Sequence, residues 1–267
     1  MPSNQAASRE FYDRWAGVYD VVAEYTPGIR RVRGRAALSL ELEPGDIVLD
    51  LGCGTGANLP FLADRVEPGG LVIGLDMTRG VLERARRHGS RRDRVGGNRS
   101  GRDRAGGNRS GRDRIRGHRS QPDRAGTSAI GSGDVTIELV RGDATRPPVA
   151  GDGAVDAVLA TFVVGMLPDP AGAVERWCDL VGPGGRVCLV NARRSRAPYA
   201  PPVNLALKAV TIASTPPTTR VRYPESPDRR LDERVTAAHE TLRERCAVLV
   251  EESSLFDVVQ LTAGRVR

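Results

Sequence analysis

The densest chemistry-bearing segment of the chain is Asp50-Leu-Gly-Cys-Gly-Thr-Gly56, where the apolar run Ile47-Val-Leu49 ends at a carboxylate and the chain turns through three glycines. Gly52, Gly54 and Gly56 let the backbone approach a ligand closely, and a helix beginning after them aims its N-terminus at the same point. Taken alone the loop also admits a dinucleotide. Gly52-x-Gly54-x-x-Ala57 satisfies that fingerprint, and Asp76 lies at a distance suited to ribose hydroxyls in either case. Three features favour a different ligand. Dinucleotide phosphates prefer a loop free of negative charge, whereas Asp50 suits a ligand that brings an α-ammonium and a sulfonium cation. Asp143, in Gly142-Asp143-Ala144, stands where a carboxylate can accept a hydrogen bond from an adenine amino group. Finally, residues 1–45, with a helical pattern of their own, precede the strand that feeds the loop, as a lid requires.

The elements that must position these groups alternate between strand and helix. Mostly apolar runs at 47–50, 71–76, 136–140, 155–159 and 186–190 suit strands buried on both faces of a parallel sheet. Val81, Leu82 and Ala85 mark one helical stripe, and Val174, Trp177, Leu180 and Val181 mark another. Pro68-Gly69-Gly70 and Pro183-Gly184-Gly185 break the chain before the second and fifth strands. A later helix starts near Leu231 and carries Val235, Ala238, Leu242 and Cys246, after which Phe256-Asp-Val-Val259 reads as a final strand. The predicted fold is α/β, a doubly wound, mostly parallel sheet in three layers, with an N-terminal helical lid over residues 1–45 and the ligand-binding domain over 46–267.

Residues 89–133 interrupt this pattern. GGNRSGRDRA from Gly96, GGNRSGRDRI from Gly106 and RGHRSQPDRA from Arg116 repeat a ten-residue unit with almost no apolar side chain. Such units have no face to bury, so the segment is expected to be a disordered insertion outside the packed domain. It also explains the chain's charge. Between Gly89 and Gly126 there are 12 Arg and 4 Asp, a net +8 against +7 for the whole chain, which leaves the remainder near neutral. An arginine-rich RNA-binding arm is the alternative reading of this stretch. The absence of aromatic residues there and the neutral body argue against nucleic acid.

Val48-Leu-Asp-Leu-Gly-Cys-Gly-Thr-Gly56, Gly74-Leu-Asp76-Met77, Gly142-Asp143-Ala144 and Leu180-Val-Gly-Pro-Gly-Gly-Arg-Val187 resemble the successive motifs of class I S-adenosylmethionine-dependent methyltransferases. Phe11-Tyr-Asp-Arg-Trp-Ala-Gly-Val-Tyr-Asp20 further resembles the subgroup that contains ubiquinone and menaquinone C-methyltransferases. The resemblance implies S-adenosylmethionine as cofactor, held by Asp50, Gly52, Gly54, Gly56, Asp76, Met77, Asp143, Ala144, Thr161, Tyr12 and Tyr19. Thr161 and Phe162 fall where the family lines its methyl-transfer pocket, and Tyr12 and Tyr19 can offer aromatic faces to the sulfonium. Two departures stand out: the Arg-rich insertion, and an end at Arg267 where the family completes a last antiparallel strand.

Transfer from a sulfonium needs orientation and desolvation more than a dedicated nucleophile, so no catalytic base is assigned. Ala160-Thr-Phe-Val-Val164 lacks the Asp/Asn-Pro-Pro-aromatic pattern of enzymes that methylate base amines. The apolar stretch 199–213, with Val203, Leu207, Val210 and Ile212, suggests a small-molecule or lipid-linked acceptor such as a quinone precursor, met through peripheral membrane contact. Cys53, Cys178, Cys188 and Cys246 lack metal-ligand spacing and are expected to be reduced, with no metal site. No run reaches the roughly 20 apolar residues of a membrane span, so a cytoplasmic location is expected. His239 is expected at the surface of its helix.

Overall fold

Eight strands form one sheet in the computed structural model, which describes residues 28–96, 128–130, 135–149, 151–214 and 227–267. They are β1 (Ile47–Leu51), β2 (Leu71–Asp76), β3 (Ser128–Ile130), β4 (Thr136–Arg141), β5 (Ala157–Thr161), β6 (Arg186–Ala192), β7 (Cys246–Ser254) and β8 (Val259–Val266). Their order across the sheet is β3-β4-β2-β1-β5-β6-β8-β7. The run β4-β2-β1-β5-β6 is parallel, and β3, β8 and β7 add antiparallel edges. The chain therefore winds outward from β1 to β4 and then returns to the other side of β1 with β5. That reversal opens a crevice at the carboxyl ends of β1 and β5, where this class of sheet binds its ligands.

Helices α1 (Ile29–Ser39), α2 (Leu59–Val66), α3 (Arg79–Gly96), α4 (Pro170–Val181), α5 (Ala200–Ser214) and α6 (Pro227–Arg245) accompany the sheet, with a short 3-10 turn at Val164–Met166. Side chains alternate along a strand, so parity decides which layer each residue meets. Val48, Ala157, Leu159, Cys188 and Val190 pack with α1, α2 and α3. Leu49, Leu51, Val158, Ala160, Val187 and Leu189 pack with α4 and α6 around the fully buried Trp177. Asp50 and Thr161 share the parity of Val48 and Leu159, which turns both toward α1 and α2. Helix α4 shows how local sequence sets a boundary. Pro170 starts it, the Asp169 carboxylate accepts from the Gly172 N–H at 2.9 Å, and Gly182 ends it at φ 68°.

Several expectations are corrected. The strand expected at 155–159 is Ala157–Thr161, because Val155 and Asp156 belong to the approach and the Asp156 carboxylate accepts from the Ile47 N–H. The last strand is Val259–Val266, and the segment expected to form it instead turns, with Leu255, Phe256 and Asp257 all at positive φ. β8 pairs antiparallel with both β6 and β7, so the antiparallel strand expected to be missing is present. Cys246 begins β7 rather than ending the helix stripe. His239 is fully buried; its ring bonds the Thr262 hydroxyl at 2.8 Å, and burial pulls its pKa down to about 3, so it is a neutral core residue. At the expected insertion, α3 continues to Gly96 and Ser128–Ile130 pairs with β4; residues 97–127 and 131–134, like residues 1–27 of the expected lid, lie outside those described. All four cysteines are buried and unpaired by disulfides.

Candidate functional site

Asp50 lies at the reversal point, one residue before the end of β1, opposite Leu159 of β5 and Gly74 of β2. It is 0% exposed. Both of its carboxylate oxygens accept from Asn58 Nδ2, at 3.0 and 3.2 Å, and that same nitrogen donates to Thr161 Oγ1 at 3.0 Å. Asp50 does not cap α2, because the residue at the N-cap is Asn58 and the bond runs side chain to side chain. Burial pushes the Asp50 carboxyl up to about 7, against the lowering effects of the Asn58 bond and the Arg33 charge, with Asp76 raising it slightly further. A buried carboxylate bonded mainly by a neutral amide is electrostatically incomplete, and a ligand ammonium completes it.

The glycine loop is shaped by close contacts. The N–H groups of Gly52 and Cys53 both donate to the Leu75 carbonyl, at 2.8 and 3.0 Å, which folds the loop back against the end of β2. Gly52 has φ +68°, and a Cβ there would stand 2.8 Å from Val163 Cγ2. Gly52→Ala is thus expected to cost about 2–4 kcal/mol in folding stability, from backbone strain and overpacking together. Thermal melting with and without S-adenosylmethionine checks it, and an unshifted transition would mean the loop is not held this tightly.

Asp76 ends β2, and its two oxygens accept from the Gly54 N–H at 3.1 Å and the Thr78 N–H at 2.8 Å. The carboxylate that can hold ribose hydroxyls thereby also fixes the loop beside it. Gly54 and Gly56 sit at φ 54° and 84°, and Gly56 approaches Leu59 and Ala85. Met77 follows Asp76 and is 49% exposed. Asp143 takes the Thr145 N–H and hydroxyl on one oxygen, both at 2.8 Å, and the loop is tied down by Trp177 Nε1 donating to the buried Ala144 carbonyl at 2.8 Å. Because β1, β2, β4 and β5 run parallel, Asp50, Asp76, Asp143 and Thr161 all stand at one edge of the sheet. Tyr12 and Tyr19 lie outside the described residues.

Two residues of this site carry no sequence signal that singles them out. Asn58 looks like an ordinary helix-starting residue two positions after Gly56. Arg33, on α1, donates through Nη1 to Asn58 Oδ1 at 2.7 Å and to Thr161 Oγ1 at 3.3 Å, and its guanidinium stands 5.8 Å from the Phe162 ring centroid. Phe162 itself has φ 59°, rare for an aromatic residue, with its N–H held by the Val190 carbonyl at 2.7 Å. Among the described residues no group of three or more His, Cys, Asp or Glu can hold a metal, and no helix is long and apolar enough to cross a membrane.

An open α/β sheet with a glycine loop, a buried carboxylate and a ribose-spaced carboxylate at its reversal point defines the Rossmann-like class of nucleoside-cofactor proteins. The family profile described as a methyltransferase domain matches residues 24–229, and the chain belongs to that family, whose cofactor is S-adenosylmethionine. It is 28% identical over 181 residues to nocamycin O-methyltransferase of Saccharothrix syringae, covering 67% of this chain and 48% of that protein. It is 29% identical over 195 residues to demethylmenaquinone methyltransferase of Beutenbergia cavernae, covering 70% of this chain and 60% of that one. The chain thus aligns with about half the length of the first relative. A solved S-adenosylmethionine-dependent methyltransferase from Aquifex aeolicus shares the fold at TM-score 0.51 and 13% identity, over 91% of this chain and 94% of that one.

The residues present fit the cofactor. The buried Asp50 carboxylate would receive its α-ammonium and Asp76, beside the Gly54 amide, its ribose, while Gly52, where a Cβ would stand 2.8 Å from Val163 Cγ2, has no side chain to obstruct the turn of the loop.

Proposed function

We propose that this protein transfers a methyl group from S-adenosylmethionine to a small hydrophobic or lipid-linked acceptor, such as a quinone precursor. The observation that carries the transfer reading is the buried Asp50 carboxylate at the sheet's reversal point, offered to a cation beside the glycine loop. The cofactor supplies an electrophilic methyl group already activated by its sulfonium. The chain's own residues supply position and dryness. Asp50 holds the ammonium, Asp76 the ribose hydroxyls, Asp143 the adenine amino group, and Met77 and Ala144 flank the adenine ring, while Gly52, Gly54 and Gly56 keep the loop narrow. Thr161 and Phe162 stand at the acceptor side of the crevice, where orienting the acceptor for in-line attack replaces a bimolecular encounter.

Support for an apolar acceptor comes from the segment after β6. It forms α5, on which Val203 and Leu207 are half-buried and Leu205 is exposed, and α5 packs on α6. Two relatives bear names of methyltransferases for nocamycin and demethylmenaquinone. In this reading the enzyme is cytoplasmic and meets a lipid-linked acceptor at a membrane surface.

The experiment is methyl transfer from labelled S-adenosylmethionine to a prenylated hydroquinone, with wild type and Leu207→Asp. Wild type is expected to label the hydroquinone, and the variant to lose that turnover by at least about tenfold while keeping its cofactor affinity, since a carboxylate that an apolar acceptor covers without pairing costs more than about 1.4 kcal/mol. Labelling of polar, water-soluble acceptors only, unaffected by Leu207→Asp, would overturn the acceptor class and leave the transfer reading standing.

A further inference from the structure

Arg33 lies outside every motif that marks the cofactor site, on α1 and 17 residues before Asp50 of β1, yet it reaches into the centre of the site. The amide of Asn58 has an oxygen and a nitrogen on opposite sides, and its two possible orientations differ only by a flip. Arginine is a donor with no acceptor atom. The 2.7 Å bond from Arg33 Nη1 therefore requires the Asn58 oxygen, which leaves Nδ2 facing Asp50 and Thr161. The guanidinium cannot easily turn away, because the Phe162 ring stands 5.8 Å from it and Thr161 Oγ1 takes a second bond from Nη1. Phe162 is held in its rare conformation by β6.

Resting on the reading of this loop as an S-adenosylmethionine site, we propose that Arg33 is a positioning residue for the cofactor. It sets the Asn58 amide with its donor toward Asp50, and so holds the Asp50 carboxylate in the orientation that receives the α-ammonium. The charges that face Asp50 among the described residues are Arg33 from α1 and Asp76 from the end of β2; Asn58 and Thr161 contact it or its partner as neutral groups. Of these charges Arg33 favours the ionised carboxylate and Asp76 opposes it. Removing the guanidinium thus has two consequences that a purely structural residue would not produce together. The amide loses its fixed orientation, and the Asp50 titration moves to higher pH.

The test is titration calorimetry of S-adenosylmethionine into the full-length protein between pH 6 and 9, for wild type, Arg33→Met and Arg33→Gln. In the wild type, affinity is expected to fall on acidification through the range in which Asp50 takes up a proton. Arg33→Met is expected to bind about tenfold more weakly at pH 7.5, the loss of one charged hydrogen bond, with the midpoint of that fall displaced upward. Arg33→Gln restores a donor to Asn58 without the charge, so its midpoint should move as far while its affinity recovers in part. Affinity within twofold of wild type and an unmoved midpoint in Arg33→Met would overturn the proposal. Should that variant not fold, the same result in Arg33→Gln overturns it. A wild type that does not bind S-adenosylmethionine would instead overturn the cofactor reading. The Arg33 role is then decided by the pH dependence of melting without cofactor, where an unmoved Asp50 titration in the variants rejects it.

Discussion

Replacing Asp76 with alanine is expected to weaken S-adenosylmethionine binding by about 100-fold or more. In the proposed site this carboxylate would accept hydrogen bonds from two ribose hydroxyls, and bonds to a charged group contribute about 1.5–3 kcal/mol each. The loss is compounded locally, because the same oxygens accept from the Gly54 and Thr78 N–H groups and anchor the loop and the turn into α3. Asp76→Asn keeps one acceptor and is expected to fall between the two. Calorimetry decides the matter. Affinity of Asp76→Ala within threefold of wild type would remove Asp76 from the site, and tight binding of NAD by the wild type would replace the cofactor altogether.

Asp50 carries the opposite balance between stability and binding. Its carboxyl is raised to about 7 chiefly by burial, whereas in the unfolded chain a carboxyl of this kind titrates near 3.9. The folded protein therefore binds this proton more tightly than the unfolded chain does. Between about pH 4 and pH 7 the unfolded chain has released it while the fold retains it, so this group's contribution to stability falls as pH rises through that window, and above it the full cost of the buried charge remains. Asp50→Asn removes that cost. Without cofactor the variant is expected to melt higher than wild type at pH 8, by on the order of 2–4 kcal/mol, with the difference vanishing near pH 4. Cofactor affinity should move the other way, falling at least about tenfold at pH 8 as the ammonium loses its charged partner. Scanning calorimetry from pH 4 to 8, with and without S-adenosylmethionine, separates the two effects. A variant that melts with wild type at pH 8 would show that ionising Asp50 costs the fold nothing, and one that also binds as wild type would remove Asp50 from cofactor recognition.

These two carboxylates were legible in the sequence because each ends an apolar run beside glycines. The strand runs, the two Pro-Gly-Gly breaks and the stripes of α3 and α4 were legible for the same reason, since local hydrophobic patterning and turn chemistry are properties of neighbouring residues. Where local pattern is ambiguous, packing decides the outcome. Val155 and Asp156 extend an apolar run without entering β5, Phe256-Asp-Val-Val259 resembles a strand but supplies a left-handed turn, and a polar helix face gave no sign that His239 would be enclosed by β8.

By itself the sequence determined a parallel α/β sheet with a glycine loop, and the carboxylates Asp50, Asp76 and Asp143 at its carboxyl edge. Tertiary structure alone decided what surrounds Asp50. Parity turns Asp50 and Thr161 to the face that α1 and α2 cover, and there Asn58, 8 residues from Asp50 and 103 from Thr161, joins them, while Arg33 arrives from 128 residues before Thr161. Such a network has no signature in spacing. Its members are brought together by the sheet's winding order, and its energetics come from the burial that only packing creates.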